Sequence, residues 1–305
     1  MVSDPIPSAS PLERAPAGLA AGDVVLKRED LHELGAFKWR GALPVVREYA
    51  DGGASTVVTA STGNHGAATA WAARHLGLRA VVFVPDQATE AKLSRITALG
   101  AELHRVGSDF DEAKDAATAY AEEHALPLFV DGVEPGQYDG YRAIGDEILH
   151  QLAEGPGTVV VPVGNGALIG GVGEALAGTG WHVLGVVAKD APVMADSFDA
   201  GAVRTAASGA TMADGLAVRV AIPYAVSRIQ PVVERIVRVS ERELAHAIAQ
   251  FARFGIRVEA SAAAGLAALA RLDSPAEPVV LVVTGRNIDD ELFERACTTP
   301  ASFPD

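Results

Sequence analysis

Short apolar runs rich in β-branched residues alternate with alanine-rich stretches along most of this chain. The run at 56–59 precedes the alanine-rich stretch 65–76, and the run at 158–163 precedes 168–176. This alternation is typical of buried parallel strands joined by helices in βαβ units. It predicts an α/β fold of two open α/β layers with a functional cleft between them. The other predicted strands are 80–84, 102–106, 128–130, 183–187, 235–239 and 278–283, and the other predicted helices are 88–99, 109–125, 144–152, 241–254 and 262–271. A loop rich in Asp, Gly and Pro is predicted at 131–140, and Ser240 is the predicted N-cap of the helix at 241–254.

Composition excludes several classes of function. The net charge of −14, from 25 Lys and Arg against 39 Asp and Glu, argues against binding to nucleic acids or anionic membranes. The only cysteine, Cys297, rules out an intramolecular disulfide and a thiolate metal cluster. The N-terminal stretch lacks the features of a signal peptide, and no apolar segment has the length of a membrane span. We therefore expect a cytoplasmic protein.

The stretch 26–43 contains a lysine, Lys38, between Phe37 and Trp39. Burying an ammonium group is costly, and a buried lysine more readily becomes the neutral amine that acts as a nucleophile. The alternative is an ordinary lysine on an amphipathic helix with its charged end in water. The three residues alone favour this alternative, so the case for a reactive lysine depends on the surrounding motifs.

Glycine-containing turns follow the predicted strands, where ligands bind in α/β folds. The segment 61–66, Ser-Thr-Gly-Asn-His-Gly, opens a predicted helix whose free N–H groups suit an anion such as a carboxylate. The alternative is an ordinary N-cap by Ser61 or Thr62. His65 by itself is more often structural than catalytic.

The segment 162–170, Pro-Val-Gly-Asn-Gly-Ala-Leu-Ile-Gly, has the small residues expected of a phosphate cradle at a helix N-terminus. A dinucleotide site is the competing interpretation. Its glycines, however, would follow the pattern Gly-x-Gly-x-x-Gly, and here Gly164, Gly166 and Gly170 are spaced one residue too widely.

Two further turns carry candidate residues. The segment 212–219, Met-Ala-Asp-Gly-Leu-Ala-Val-Arg, contains Gly215, and by itself would be taken as a surface turn. Thr284 stands at the end of the last predicted strand, before Gly285 and Arg286. All four turns are predicted to follow strands. Upstream, Glu259 precedes a predicted helix and either lies near a ligand or caps that helix.

Taken together, these segments resemble the serine/threonine dehydratase family, whose members are pyridoxal-phosphate enzymes of fold type II, as is tryptophan synthase β. The resemblance rests on the lysine segment, on 61–66, on the glycine-rich loop, on Ala-Asp-Gly at 213–215 and on Thr-Gly at 284–285, all in family order. It implies a large cofactor-binding domain formed by 1–44 and 141–305 and a small domain at 45–140. It also implies that the family's C-terminal regulatory domain is absent.

The resemblance also implies roles for individual residues. Lys38 would form the Schiff base with pyridoxal 5'-phosphate and act as general base, and Asn64 would bind the cofactor's 3′-oxygen. The glycine-rich loop would hold the phosphate, Gly215 would face the cofactor, and the hydroxyl of Thr284 would meet the pyridine nitrogen. The implied cofactor-binding residues are Lys38, Asn64, Gly164, Asn165, Gly166, Ala167, Leu168, Gly215 and Thr284; the substrate-binding residues are Ser61, Thr62, Gly63, Asn64, His65 and Arg286; the catalytic residues are Lys38 and Thr62.

The expected reaction is α,β-elimination from a β-hydroxy amino acid such as L-threonine or L-serine, which yields a 2-oxo acid and ammonia. Departures from the family pattern leave alternatives open. Thr62 stands where serine racemases carry an acid/base serine, which keeps racemisation possible. Arg142 and Arg286 replace glycines, which suggests a substrate with a second anionic group, such as hydroxyaspartate, unless both arginines face solvent or pair with carboxylates.

Two other classes of function remain at this stage, namely a nucleotide-dependent oxidoreductase and a non-catalytic relative that binds the cofactor. Motifs of serine hydrolases, zinc proteases and calcium loops are absent from the sequence. In members of this family that bind a divalent cation, a carboxylate follows the strand equivalent to 183–187. Here Ala188 and Lys189 follow that strand, so the resemblance implies no metal. The expected partners are a small amino-acid substrate and a second copy of the chain, with no nucleic acid or membrane.

Overall fold

The computed structural model describes residues 9–152 and 155–305. The strands are β1 (Leu12–Arg14), β2 (Val24–Arg28), β3 (Thr56–Ala60), β4 (Arg79–Val84), β5 (Glu102–Arg105), β6 (Thr158–Pro162), β7 (His182–Ala188), β8 (Arg235–Val239) and β9 (Val279–Val283). The helices are α1 (Trp39–Asp51), α2 (Asn64–Leu76), α3 (Glu90–Ala98), α4 (Phe110–Glu123), α5 (Pro135–Gln151), α6 (Ala167–Leu176), α7 (Val193–Ala200), α8 (Pro223–Ile229), α9 (Glu241–Arg253), α10 (Ala260–Ala268) and α11 (Asp290–Thr298). Short 3-10 turns occur at Glu29–Leu31, Asp214–Leu216, Leu269–Arg271 and Pro300–Ser302.

The chain divides into two compact α/β units. The smaller unit contains Lys38–Gly140, and the larger contains Ala9–Phe37 and Tyr141–Asp305. Each unit has its own mainly parallel sheet with helices, as the α/β prediction requires. By contacts, Lys38 and α1 therefore belong to the smaller unit, whereas the domain assignment made from the sequence stays a prediction.

The sheet of the larger unit has the strand order β1-β2-β9-β6-β7-β8. Only the β1–β2 pairing is antiparallel, and the remaining neighbours are parallel. Strands β2, β6 and β9 are buried at every residue, as expected for parallel strands covered on both faces. Helix α10 is buried along its whole length and packs on this sheet.

The sheet of the smaller unit has the order β3-β4-β5, and all its pairings are parallel. The strand predicted at 128–130 is wrong as an extended element, because Leu128 forms only an isolated parallel bridge with Val58. The backbone still follows β3 there, since the N–H of Phe129 donates to the carbonyl of Val58 at 2.8 Å. The chain leaves the sheet directly afterwards, at Asp131.

The loop predicted at 131–140 is largely helical, which corrects the sequence analysis. Helix α5 begins at Pro135, where a proline is tolerated because the first helical N–H has no acceptor in the helix. Gly136 and Gly140 lie against α1, and a Cβ added at Gly136 would meet Val45 Cγ2 at 3.2 Å. These glycines allow two helices to approach closely, so they do not mark a turn as their composition suggested.

The remaining elements agree with the predictions to within a few residues at their ends. Ser240 is confirmed as the N-cap of α9 and forms a capping box with Glu243. Strands β1 and β2 and helices α1, α7, α8 and α11 were not predicted. Helix α11 did have a sequence signal, because Asp289 caps it by accepting from the N–H of Leu292. Every helix among the described residues is too short or too polar to cross a lipid bilayer.

Candidate active site

Lys38 lies directly before α1 in the smaller unit, and its amine contacts a carboxylate. The distance from Lys38 Nζ to Asp131 Oδ2 is 2.6 Å, and the two side chains are 16% and 29% exposed. The other carboxylate oxygen, Oδ1, accepts a hydrogen bond from Gln137 Nε2 at 2.9 Å. The side-chain oxygen of Gln137 in turn accepts from the N–H of Gly132 at 2.6 Å. The lysine therefore faces a carboxylate that other groups hold in position.

The ring of His65 is buried against the same carboxylate. Its Nδ1 lies 3.6 Å from Asp131 Oδ1, and its Nε2 lies 3.3 Å from the carbonyl oxygen of Phe129. Burial, opposed by the charge of Asp131, lowers the pKa of His65, so the ring is neutral near pH 7. Since both ring nitrogens face groups of the protein, His65 offers a ligand its backbone N–H rather than its side chain.

Helix α2 begins within the segment 61–66, as predicted, and Gly63 is its N-cap. No side chain makes a capping hydrogen bond to this helix among the described residues, so the alternative that Ser61 or Thr62 caps it is wrong. Ser61 Oγ instead accepts from the N–H of Gly63 at 3.1 Å. Thr62 is half-buried, and Asn64 Oδ1 accepts from Arg95 at 3.4 Å. The first turn of α2 keeps backbone donors for an anion.

In the larger unit, the glycine-rich loop joins β6 to α6. Gly166 is the N-cap of α6 with φ +95°, a conformation that glycine adopts without strain. The side chain of Asn165 accepts from the N–H of Ala167 at 3.0 Å. Asn165 thereby satisfies one donor of the first turn, and Leu168 and the following residue carry the next N–H groups at this helix end. The loop has the geometry of a phosphate cradle, although one of its donors has an internal acceptor.

Gly164 and Gly215 lie against each other. A Cβ added at Gly164 would overlap the carbonyl oxygen of Gly215, so only glycine fits. The N–H of Gly215 donates to Ser261 Oγ at 3.1 Å. The turn that carries Gly215 comes between α7 and α8 rather than directly after a strand, so its predicted position in the topology is wrong. Folding nevertheless brings it to the glycine-rich loop.

Thr284 follows β9, and its hydroxyl is buried without a hydrogen-bond partner among the described residues. The carbonyl of Thr284 accepts from the N–H of Phe37, the residue before Lys38 in the chain, at 3.0 Å. The carboxylate of Glu259 lies beside Gly285, where an added Cβ would meet its carbon at 2.8 Å. Glu259 is the N-cap of α10 but makes no capping hydrogen bond with its side chain, so it packs beside Thr284-Gly285 instead.

The two arginines differ in their surroundings. Arg142 is 49% exposed on α5 and lies 3.7 Å from Asp146. This is the solvent-facing, carboxylate-paired arrangement that the sequence analysis gave as an alternative. Arg286 is half-buried, and its guanidinium has no ion pair or hydrogen bond within the part of the chain that the structure describes. Its backbone N–H donates to the carbonyl of Gly35 at 2.9 Å.

Comparison with known proteins decides the family. Residues 5–285 match the family model described as pyridoxal-phosphate dependent enzyme. L-threonine ammonia-lyase of Thermotoga maritima is 33% identical over 91% of this chain and 70% of that protein. L-threonine ammonia-lyase of Geobacter sulfurreducens is 36% identical over 87% of this chain and 67% of that protein. The chain belongs to the pyridoxal-phosphate dependent enzyme family.

A solved structure supports the same assignment. The processed form of threonine deaminase isoform 2 from Solanum lycopersicum superimposes with a TM-score of 0.90, at 28% identity, over 97% of this chain and 89% of that one. The predicted resemblance to serine/threonine dehydratases, the fold class, the cofactor and the class of enzyme, a pyridoxal-phosphate dependent lyase, are thereby confirmed. The remote alternative of a nucleotide-dependent oxidoreductase is wrong.

The residues present fit pyridoxal phosphate. The buried hydroxyl of Thr284 has no partner among the described residues, although buried polar groups almost always have one, and a cofactor nitrogen would supply it. Gly164 leaves no room for a side chain beside Gly215, which keeps the backbone accessible to a bound group. The start of α6 offers N–H groups to a phosphate, and Lys38 supplies an amine.

Sequence reasoning missed Asp131 and Gln137. Asp131 was placed in a loop because of its neighbours in the chain, and Gln137 was not considered. A signal for Asp131 was present, because it directly follows the strand predicted at 128–130. The rule that selected the other turns, namely that ligand-binding groups follow strands, applied to this acidic residue as well.

Proposed function

We propose that this protein is an ammonia-lyase that acts on L-threonine or L-serine. The proposal rests on the 33% and 36% identity to two L-threonine ammonia-lyases over about nine-tenths of the chain. The net reaction removes the Cα hydrogen and the β-hydroxyl of the amino acid, and hydrolysis then releases ammonia and a 2-oxo acid. When bound, pyridoxal phosphate supplies an electron sink for the electron pair left at Cα when its proton is removed.

In this proposal, Lys38 binds the cofactor through Nζ and takes the Cα proton on the same atom as general base. The position of Lys38 before α1 supports the role, because its amine is partly exposed and its main chain is well anchored. The N–H of Phe37, one residue earlier, is held by the carbonyl of Thr284. A base with a fixed main chain and a movable side chain can bind the cofactor and then move to the substrate.

The start of α2 binds the substrate's α-carboxylate through backbone N–H groups of 61–65. The absence of a side-chain cap on this helix, among the residues described, supports the role because donors stay available. The neutral ring of His65 adds no competing charge there. Asn64 binds the cofactor's 3′-oxygen by donating from its side-chain amide, whose oxygen accepts from Arg95 at 3.4 Å.

The larger unit supplies the groups for the cofactor. The backbone of 164–168 holds the phosphate, Gly215 faces the cofactor ring, and the Thr284 hydroxyl meets the pyridine nitrogen. A hydroxyl partner leaves that nitrogen mostly unprotonated, which favours elimination over reactions that need a stronger electron sink. The unpartnered Thr284 hydroxyl is the observation of the structure that best supports this placement.

A second candidate substrate is a β-hydroxy amino acid with an additional carboxylate, and half-buried Arg286 favours it. Among the described residues its guanidinium has no ion pair, whereas Arg142 pairs with Asp146 at 3.7 Å. A planar guanidinium suits a carboxylate because it can donate two parallel hydrogen bonds. Racemisation is a third candidate, since the hydroxyl of Thr62 could return a proton to Cα.

The proposed function is tested by ammonia and 2-oxo acid release from the cofactor-loaded protein. L-Threonine, L-serine, their D-forms and β-hydroxyaspartate form the panel. Rapid release from L-threonine or L-serine, lost in Lys38→Ala and kept in Lys114→Ala, supports the proposal. Release from β-hydroxyaspartate alone would contradict it and support the dicarboxylate candidate. Interconversion of enantiomers without ammonia release would support the racemase.

The role of Arg286 is tested separately by Arg286→Ala, with Arg142→Ala as the matched control. If Arg286 binds a second carboxylate, its loss raises KM for β-hydroxyaspartate and leaves KM for L-serine unchanged. Equal effects of the two variants would rule out this role for Arg286.

We further propose that the enzyme is a homodimer in the cytoplasm and binds neither nucleic acid nor membranes. The strongly negative net charge and the single cysteine support this environment. Analytical ultracentrifugation of the holoenzyme tests the oligomeric state, and a monomer at micromolar concentration would contradict the proposal.

A further inference from the structure

The carboxylate of Asp131 lies against both the amine of Lys38 and the buried ring of His65. We propose that Asp131 is a positioning residue for Lys38, which holds the lysine amine in one direction through their ion pair until the cofactor binds. The inference rests on the proposed role of Lys38 as the cofactor-binding lysine. Lys38, His65, Asp131 and Gln137 all belong to the smaller unit.

The carboxylate itself is held in a fixed orientation. Gln137 Nε2 donates to Oδ1 at 2.9 Å, and Gln137 is fully buried on α5. The side-chain oxygen of Gln137 accepts from the N–H of Gly132 at 2.6 Å, which fixes the amide orientation as well. With Oδ1 occupied, Oδ2 is the oxygen that meets Lys38 Nζ at 2.6 Å. A single oxygen in a fixed place gives the amine a single preferred direction.

The charges around Asp131 support an ion pair with Lys38. Burial raises the pKa of Asp131, but the charge of Lys38 and the hydrogen bonds from Lys38 and Gln137 lower it more, to well below its usual range. Asp131 is therefore ionised at all working pH values. Burial lowers the pKa of His65, so this ring is neutral near pH 7 and the ion-pair partner of the carboxylate is Lys38.

This arrangement has a consequence for cofactor loading. An amine held 2.6 Å from a carboxylate must leave that contact before it attacks an electrophile, so the ion pair slows the reaction of Lys38. The same contact keeps the amine close to one position in the cofactor-free protein. Asp131 thus protects the lysine in the cofactor-free protein at the cost of slower loading.

The test measures the reactivity of Lys38 in the cofactor-free protein with acetic anhydride, by mass spectrometry of the Lys38 peptide. Acetylation of exposed Lys114 in the same sample serves as the internal standard. In Asp131→Asn, the ratio of Lys38 to Lys114 acetylation at neutral pH is expected to rise roughly tenfold, because the amine loses the charge-assisted contact that holds it. Asp139→Asn, an exposed residue of α5, is the matched control and is expected to leave the ratio unchanged.

Asp131→Glu keeps the charge and is expected to keep most of the protection, which a purely steric role would not predict. An unchanged ratio in Asp131→Asn would overturn the proposal. If that variant does not fold, as judged by circular dichroism, Asp131→Ser provides the same comparison with a smaller side chain. Because acetylation needs neither substrate nor turnover, this result is independent of the lyase assay. A failed lyase assay with a raised ratio would overturn the proposed function and keep the role of Asp131.

Discussion

Two lysines of the stretch 26–43 have opposite surroundings, although only eleven positions separate them in the sequence. Lys27 lies in the middle of β2 with a fully buried side chain. Its amine donates to Glu147 at 2.5 Å, to the carbonyl of Ser10 at 2.8 Å and to Gln151 at 2.8 Å. Lys38 is 16% exposed, and its amine forms an ion pair with Asp131.

The comparison shows that burial alone does not distinguish a structural lysine from a candidate catalytic one. An ammonium group has three donors, and in Lys27 all three have acceptors, so this amine is fixed as a structural cation. Sequence reasoning associated reactivity with burial, and by that criterion Lys27 would have been the better candidate. What sets Lys38 apart is its position at the start of a helix, directly after a segment, 34–37, whose backbone is hydrogen-bonded to 284–287, rather than within a strand.

The largest expected effect separates the two lysines by activity. Lys38→Met should lower ammonia release by roughly a thousandfold or more, because a general base and the cofactor attachment are both lost. Lys27→Met should keep the wild-type activity per folded molecule. Both variants are assayed with excess pyridoxal phosphate and normalised to the folded protein measured by circular dichroism. Comparable losses of activity per folded molecule in the two variants would contradict the different roles assigned to Lys27 and Lys38.

The second effect separates the same lysines by stability. Lys27→Met leaves the carboxylate of Glu147 without its cation and should lower the free energy of unfolding by about 3 kcal/mol. Lys114→Met, on an exposed face of α4, should change it by less than about 0.5 kcal/mol. Urea denaturation of the cofactor-free proteins measures both. A loss below about 1 kcal/mol in Lys27→Met would show that the Lys27 cluster is not a structural anchor.

The stability of the protein is expected to depend on pH through the buried ring of His65. Because burial lowers the pKa of His65, the unfolded chain takes up a proton near pH 6.5 that the folded chain does not. Stability is therefore retained above about pH 6.5 and falls as the pH drops below it, by up to about 1.4 kcal/mol per pH unit. Urea denaturation from about pH 7 to 5.5 should show this slope in the wild type and a reduced slope in His65→Gln. Equal slopes would mean that His65 is charged in the folded protein.

The smallest effect concerns the Thr284 hydroxyl. In the cofactor-free protein, Thr284→Val removes an unpartnered buried hydroxyl, so stability should be unchanged or rise by up to about 1 kcal/mol. The rise in melting temperature on adding pyridoxal phosphate should become smaller. Thr158→Val is the control, because Thr158 Oγ1 donates to the carbonyl of Ala276 at 2.9 Å and its loss should destabilise both forms by about 1 kcal/mol. Equal responses of the two variants would contradict the role of Thr284.

Much of the fold could be predicted from the sequence because strands and helices have local periodic signals. The strand at 235–239 was predicted at both its ends, and the cap at Ser240 followed from residue type. The predictions were wrong where one residue type serves two structural purposes, as glycine does in turns and in close helix packing. Gly136 and Gly140 were taken as turn residues, whereas they allow α5 to pack closely on α1.

The sequence by itself determined the α/β class, the loops after the strands and the choice of Lys38, since each depends on residues within a short segment. The tertiary structure decided which charges meet. Asp131 lies 93 positions from Lys38 in the chain, and Glu147 lies 120 positions from Lys27. A local pattern contains no information about such pairs, because the contact forms only when separate elements pack. For that reason the sequence indicated Lys38 as the candidate lysine, and only the fold revealed the carboxylate that it contacts.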